Sequence, residues 1–485
     1  MSLNKNKDVF DCLIIGGGVI GCSIARYLSR FNINAILLEK HSDVCEEVSS
    51  ANSAIVHSGY DPKPGTLKAK FNVLGNKMME QVCKDLDVPY IKNGSLTIGF
   101  NGDDKKTILE LIERAKINGV KARFIEKDEL HNMEPNLNEE CLCALYAEDS
   151  AIVSPFELTI AFMENAMDNG VKLSLDSEVI NIERDIDNGL YHVYTNKDEF
   201  IAKSLVNATG LYSDKILSLI EKPSYKINPR KGEYILLDHF NANFVKHTLF
   251  MCPTKVGKGV LVSPTTSYNY IIGPSNELTD IEDTSTDFET LNEIKEVASK
   301  LIKNIPYGEV IRTFAGTRPN PDTDDFIIEE SKENPLFFNV GGIMSPGLAS
   351  SPAIGEYVSN LIKEKLNLSE NLDYNPVRRK VFKLTSLGKD KYNELIKKDP
   401  TYGHIICRCE KVSEGEIIDS IHRNCGARTI KGVKKRLRAG FGKCQGCFCQ
   451  EEVLKILARE LNVDINQIRY KDEGSEILKY PSKGE

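Results

Sequence analysis

Residues 11–28 read DCLIIGGGVIGCSIARYL, an apolar strand that runs directly into Gly16-x-Gly18-x-x-Gly21. A helical pattern begins inside that glycine run. Glycines at such a turn let the backbone approach a pyrophosphate at the N-terminus of the helix. The next strand, AILLEK, ends at Glu39, whose carboxylate can accept hydrogen bonds from a ribose. The stretch therefore predicts a dinucleotide-binding βαβ unit.

The size and charge of the chain limit what else it does. With 485 residues it is long for one hydrophobic core, which predicts two or three domains. The formal net charge of −8 disfavours binding to nucleic acid or anionic membrane, because both need a net basic surface. No apolar run approaches the roughly 20 residues that span a bilayer, and the N-terminus has no signal-peptide core. We expect a cytoplasmic protein without a transmembrane segment, and peripheral membrane docking through a partner stays open.

Strand-like runs dominate residues 230–272, where GEYILLD, GVLVSP and YNYIIGP are separated by Gly and Pro. A helical pattern, FETLNEIKEVASKLIKNI, follows with an apolar face that extends to Ile305. This order predicts an antiparallel sheet with a covering helix, inserted into the nucleotide-binding fold. A charged connector over about 376–402 then leads to a cysteine-rich region.

Thirteen cysteines without a secretion signal predict thiols, not a disulfide framework. A CxC pair and a CxxC pair near the C-terminus give four soft ligands for one centre, either zinc or an iron-sulfur cluster. Cys425 and Cys449 have no place in this scheme and are expected to be bystanders. The four predicted metal ligands are Cys407, Cys409, Cys444 and Cys447.

A basic run, KGVKKRLRAG, lies between the two cysteine pairs. Five of its first eight residues are basic, so it is expected to offset the negative charge of a thiolate cluster and to offer a docking face to an acidic electron-transfer protein. Nucleic-acid binding is the alternative, but no aromatic residues interleave with the basic ones.

Four ordered motifs resemble the D-amino-acid-oxidase superfamily of flavoproteins. They are SSANSAIVHSGYDPKPGTLKAK (49–70), VNATG (206–210), GTRPNPDTDDFII (316–328) and NVGGIMSPGLASSPAIGE (339–356). More narrowly, residues 8–365 are similar to FAD-linked glycerol-3-phosphate dehydrogenases of the anaerobic type and to L-2-hydroxyglutarate oxidases or dehydrogenases. Residues 403–455 resemble the bacterioferritin-associated-ferredoxin-like domain, which implies a 2Fe-2S cluster, with zinc as the alternative.

The resemblance implies FAD as the cofactor and a mixed α/β fold. It implies a Rossmann-like FAD-binding domain (about 8–90, 150–220 and 320–370), an inserted antiparallel-sheet substrate domain (about 91–149 and 221–319) and, after the connector, a small helical cysteine-cluster domain with its tail (403–485). Helix N-terminal amides near residue 347 would face the flavin pyrimidine ring. The implied FAD contacts are Gly16, Gly18, Gly21, Glu39, Lys40, Ser50, Asn52, Ser53, Val179, Ala208, Thr209, Gly210, Gly347 and Leu348.

Two residues are the candidates for chemistry. Arg318 lies where the family places an arginine over the flavin, and a guanidinium suits bidentate binding of a carboxylate or phosphate. The alternative is an ion pair with one of the acidic residues at 322–325. His57 can accept the hydroxyl proton as hydride leaves a secondary alcohol. Tyr60 and Arg230 are weaker candidates for the pocket wall.

The predicted function is an FAD-dependent dehydrogenase of a small anionic secondary alcohol, whose electrons leave through the cluster to another protein or partner subunit. The run GGIMSPGLASS (341–351) lacks the Lys and Thr-Tyr-Arg of the glycerol-phosphate enzymes and favours a carboxylate, whereas the cysteine domain favours glycerol 3-phosphate. An amine or imino-acid dehydrogenase and a non-catalytic electron-transfer or scaffold subunit remain alternatives.

Overall fold

A computed structural model describes residues 8–253, 259–281 and 283–478. Two large mixed sheets and a small helical unit make up the fold, which confirms the predicted mixed α/β class. In the described part of the chain, no helix is both long and apolar enough to cross a membrane.

The first sheet has eight strands and is built around Val9–Ile15. That strand pairs in parallel with Ala35–Leu38 on one side and Glu199–Asn207 on the other. Its buried apolar side chains make it a central strand, covered on both faces. The other strands of this sheet are Lys172–Ser174, Val179–Arg184, Tyr191–Thr195, Ile327–Glu330 and Phe337–Gly341.

Long helices pack together against this sheet. Val19–Leu28 contacts both Pro155–Asp168 and Gly347–Leu366. The contact is close at Gly355, where a Cβ atom would lie 2.3 Å from the Ser23 hydroxyl oxygen. The remaining elements around this sheet are the helices Leu67–Asp85, Glu47–Ser50 and Ser213–Leu217, the 3-10 turn Gly210–Tyr212 and a small sheet of Ile55–Val56, Tyr90–Ile91 and Ala151–Val153.

The second sheet has nine strands and is mostly antiparallel. This confirms the predicted antiparallel-sheet domain, with one parallel pair, in which Thr248–Met251 runs alongside Ser95–Gly99. The covering helix, Phe288–Leu301, ends before Ile305. The other elements are the strands Arg123–Glu126, Cys143–Ala147, Ile227–Leu237, Leu261–Pro264, Tyr270–Gly273, Glu277–Leu278 and Val310–Pro321, the helices Gly102–Asn118 and Lys127–Met133, and the 3-10 turn Tyr307–Glu309.

The C-terminal unit has a hydrophobic core of its own, which includes Ile417, Val433 and Leu457. The connector before it contains one helix, Lys389–Lys398. Its other elements are the strands Ile405–Cys407 and Val412–Ser413, the helices Glu414–His422, Ile430–Leu437 and Gln450–Leu461, and the 3-10 turns Pro400–Gly403 and Ile465–Gln467.

Candidate functional site

A cavity of about 440 Å³ lies between the two large sheets. Ile15 and Leu38, at the ends of parallel strands, line one side, and Tyr234 and Arg318 of the second sheet line the other. Carboxyl ends of parallel strands are where nucleotide cofactors bind in such folds. Of the predicted contacts, those that line the cavity are Gly16, Gly18, Glu39, Lys40, Asn52, Ser53, Val179, Ala208, Thr209, Gly210, Gly347 and Leu348.

Two predicted contacts do not line the cavity. A Cβ atom on Gly21 would lie 2.0 Å from the Gly16 carbonyl oxygen, so Gly21 serves the packing of the helix against the turn. The Ser50 hydroxyl donates to the Glu47 carbonyl. Its neighbour Ser49 lines the cavity instead and accepts a hydrogen bond from the Val19 amide at 2.9 Å.

The glycine turn needs glycine for two reasons. Gly16 has φ +107°, a left-handed conformation that favours glycine, and a Cβ atom there would lie 2.6 Å from the Ala208 carbonyl oxygen. Glu39 holds the same turn, since it accepts from the Gly17 amide at 2.6 Å and from the His41 amide at 2.9 Å. Burial raises the pKa of Glu39.

Arg318 is partly buried in the cavity wall and, among the described residues, pairs with no carboxylate. Its Nη2 donates to the carbonyls of Lys231 (3.2 Å) and Ser275 (2.6 Å), and its Nε has no hydrogen-bond partner in the described chain. Desolvation lowers the pKa of this guanidinium. The acidic residues of the alternative ion pair have other partners. Asp325 accepts from the amides of Leu67 and Lys68, Asp324 pairs with Lys68, and Asp322 accepts from the Lys226 amide.

His57 lines the same cavity, and its ring stacks on Phe250 with centroids 5.7 Å apart. Neither of the weaker candidates reaches the cavity. Tyr60 is buried against Thr97, and Arg230 binds Asn276 at the surface. Sequence reasoning missed Tyr234, whose hydroxyl lies 3.1 Å from the Ser53 hydroxyl in the cavity wall. The continuous apolar run of its strand, YILL (234–237), indicated burial but not this position.

The C-terminal cysteines form two close pairs. The Sγ atoms of Cys409 and Cys444 lie 3.7 Å apart. Cys407 is hydrogen-bonded to Cys449, which lowers the pKa of Cys407 to about 6 and raises that of Cys449. Cys447 is exposed and joins neither pair. The structure therefore places Cys449, which was expected to be a bystander, beside Cys407, whereas the predicted ligand Cys447 lies at the surface.

The arrangement of the sulfurs distinguishes between the two metal centres. Tetrahedral zinc with Zn–S bonds of about 2.3 Å needs all four sulfurs within roughly 3.8 Å of one another. Within the described chain, no three of these sulfurs lie within 4.8 Å of one another. Two pairs of thiols that are separated from each other fit a centre with two metal ions.

The basic helix Ile430–Leu437 faces the interior of the protein and not an external partner. Lys435 contacts Asp43 (3.1 Å) and Glu46 (2.7 Å), and Arg436 binds Asp43 through two hydrogen bonds of 2.7 and 2.9 Å. The prediction that this basic helix offers a docking face is therefore wrong. Nearby, the buried carboxylate of Glu164 pairs with two arginines that come from the connector and the small unit, Arg378 and Arg423.

Comparison with known proteins assigns both parts of the chain. Residues 11–361 match the DAO family, described as FAD-dependent oxidoreductases, and residues 405–459 match the BFD-like 2Fe-2S binding domain. The chain belongs to the DAO family of FAD-dependent oxidoreductases. It carries FAD and a 2Fe-2S cluster as its cofactors.

Relatives of this chain indicate which oxidoreductases within the family it resembles. A glycerol 3-phosphate dehydrogenase from Caloramator mitchellensis is 48% identical over 98% of this chain and 100% of its own length. A glycerol 3-phosphate oxidase from Mycoplasma genitalium is 34% identical over 76% of this chain and 97% of its own. The structure of dithionite-reduced L-alpha-glycerophosphate oxidase from Mycoplasma pneumoniae with FAD bound has a TM-score of 0.73 and 31% identity, covering 76% of this chain and 98% of that chain.

Proposed function

We propose that this oxidoreductase is a dehydrogenase of a small anionic secondary alcohol, with glycerol 3-phosphate as the first candidate. The observation that carries the proposal is Arg318, a partly buried cation in the cavity wall whose partners in the described chain are two carbonyls. Its Nε is buried without a partner, and a desolvated guanidinium without a carboxylate is unfavourable unless an anion binds to it. Arg318 would hold the phosphate or carboxylate of the substrate.

His57 would accept the hydroxyl proton of the substrate, because it lines the same cavity as Arg318. Stacking on Phe250 fixes the plane of its ring, which suits a base that must meet one hydroxyl group. FAD supplies the hydride acceptor when it is bound. The described residues fit FAD, because the glycine turn and Glu39 lie at one end of the cavity and Gly347, at a helix N-terminus, lies in its wall.

The four thiols that we propose as cluster ligands are Cys407, Cys409, Cys444 and Cys449. A 2Fe-2S cluster carries electrons singly, so the domain gives a flavin enzyme an exit to another protein. The Mycoplasma genitalium oxidase matches only 76% of this chain, whereas the Caloramator mitchellensis dehydrogenase matches nearly all of it. This difference favours a dehydrogenase over a reaction with dioxygen.

The electron acceptor would dock beside the cluster. Cys409 is exposed there, and so are Arg408, Lys443 and Phe448, each next to a proposed ligand in the chain; the side chain of Phe448 is 83% exposed. Two basic residues and an exposed aromatic ring suit a protein whose own redox centre has an acidic rim. None of the thirteen cysteines forms a disulfide, which supports a cytoplasmic location.

The test is an absorption spectrum of protein that has been purified anaerobically, recorded before and after each candidate donor. Bleaching of the flavin bands by glycerol 3-phosphate alone is the expected result. Bleaching by L-2-hydroxyglutarate alone would identify a 2-hydroxy acid as the substrate, which is the candidate that the run at 341–351 favours. Bleaching only by proline, sarcosine or an opine would give an amine dehydrogenase. A fully loaded flavin that no donor bleaches would indicate an electron-transfer subunit.

A further inference from the structure

After the helices of the small C-terminal unit, the segment 468–478 lies against the wall of the cofactor cavity. We call the part of the cavity wall formed by Glu39, Lys40 and His41 the adenosine end. At this end the Ser42 hydroxyl donates to the Lys471 carbonyl at 2.7 Å, and the Ser42 amide donates to Asp472 at 3.1 Å. The segment 468–478 therefore lies directly behind the adenosine end.

A chain of charged contacts joins Asp472 to the cavity wall. Nδ1 of His41 lies 3.1 Å from Asp472, and Nε2 lies 3.2 Å from Glu47. Glu47 in turn pairs with Lys40 at 2.7 Å. His41, Glu47 and Lys40 all line the cavity, whereas Asp472 does not. Among the contacts of Asp472, the one with His41 reaches a residue that lines the cavity directly.

The protonation of His41 fits this chain of contacts. Burial would lower its pKa, but the hydrogen bonds to Asp472 and Glu47 outweigh burial and raise the pKa to about 9. A protonated imidazole has two N–H donors, so it can serve both carboxylates at once. Without Asp472, the ring would lose the contact that fixes its Nδ1 side.

The segment is held in turn by the basic helix. The amides of Ile430 and Lys431 donate to the carbonyls of Arg469 (3.2 Å) and Tyr470 (2.9 Å). Lys471 adds an ion pair with Glu46, which also lines the cavity, at 3.5 Å. The position of Asp472 therefore depends on the docking of the whole C-terminal unit.

We propose that the C-terminal segment completes the FAD site, with Asp472 as a positioning residue that holds His41, and through it Glu47 and Lys40, at the adenosine end. The small unit then has a second role besides electron transfer, because it helps to retain FAD. This inference uses the proposed location of the adenosine and is independent of the substrate.

The test is the affinity of protein stripped of flavin for FAD, measured by quenching of flavin fluorescence without substrate. Asp472→Asn keeps the size of the side chain and removes its charge, and it is expected to raise the Kd for FAD about tenfold, the loss typical of one hydrogen bond to a charged group. The matched control is Arg459→Ala, which breaks the contacts of Arg459 with Glu414 and Glu460 inside the small unit and is expected to leave the Kd unchanged.

A double-mutant cycle tests the route through His41. In a His41→Gln background, Asp472→Asn is expected to have little further effect, because the two residues act as one unit. An unchanged Kd for Asp472→Asn, with the 2Fe-2S absorption intact, would overturn the proposal. A full tenfold loss that persists in the His41→Gln background would overturn it as well, because the effect would then bypass the histidine.

Discussion

Lys435 of the 2Fe-2S domain donates a hydrogen bond of 2.7 Å to Glu46, a residue that lines the cofactor cavity. Both side chains are buried, and the same lysine contacts Asp43. The 2Fe-2S domain is therefore joined to the wall of the cofactor cavity by a buried cluster of charges. These contacts hold the domain against the cavity wall.

Asp43 is the residue on which this joint depends most. Although burial opposes ionisation, Arg436 and Lys435 lower the pKa of Asp43 to about 2. We expect Asp43→Ala to destabilise the protein by roughly 3–5 kcal/mol, because it leaves buried cations without their partner. Urea unfolding, followed by the 2Fe-2S absorption and by far-ultraviolet circular dichroism, measures the loss. The control is Lys455→Ala, which removes exposed pairs with Glu451 and Glu452 and should leave unfolding unchanged.

The cofactor turn could be predicted because its signal is local. Gly16, Gly18 and Glu39 lie within 24 residues of one another, next to a buried strand and a helix. Sequence could not predict that Thr248–Met251 pairs in parallel with Ser95–Gly99, because no local pattern specifies a partner about 150 residues away. Non-local pairing is decided by packing.

Two features of the C-terminal unit differ from what its local sequence indicated. The acidic partners of Lys435 lie about 390 residues earlier in the chain, so its sequence indicated only a basic helix. The exposure of Cys447 could not be predicted, because left-handed residues, Gln445 (φ +50°) and Gly446 (φ +97°), turn the loop and leave Cys447 at the surface. Cys449 precedes the helix Gln450–Leu461 and is buried beside Cys407.

Substitution of Arg318 tests anion binding. We expect Arg318→Ala to raise the KM for glycerol 3-phosphate on the order of a hundredfold, about 2.7 kcal/mol, because charge-assisted hydrogen bonds to the anion are lost. The control is Arg230→Ala. Arg230 lies opposite Arg318 on the neighbouring strand, but its side chain binds Asn276 outside the cavity. Steady-state kinetics with an artificial electron acceptor measures both. An unchanged KM in Arg318→Ala would remove this residue from the substrate site.

The charge of His41 predicts how FAD retention depends on pH. Its pKa is raised from 6.5 to about 9 by the carboxylates of Asp472 and Glu47. The stabilisation of the folded protein by the contacts of His41 with these carboxylates is therefore complete below pH 6.5. It is lost as the pH rises through 9. We expect the Kd for FAD to increase between pH 7.5 and 10 in the wild-type protein. The same titration of His41→Gln should be flatter, and equal slopes for the two proteins would show that another group is responsible.

Two serine substitutions decide the fourth ligand of the cluster. Cys449→Ser is expected to reduce the bound iron and the 2Fe-2S absorption strongly, because the thiol of Cys449 is buried beside Cys407. Cys447→Ser is the matched control, two residues away and exposed, and it should keep both signals at the wild-type level. Iron analysis and the absorption spectrum under anaerobic conditions give the answer, with flavin content as the internal reference. Loss of iron in Cys447→Ser but not in Cys449→Ser would restore the CxxC spacing as the ligand set and show that this loop rearranges when the cluster binds.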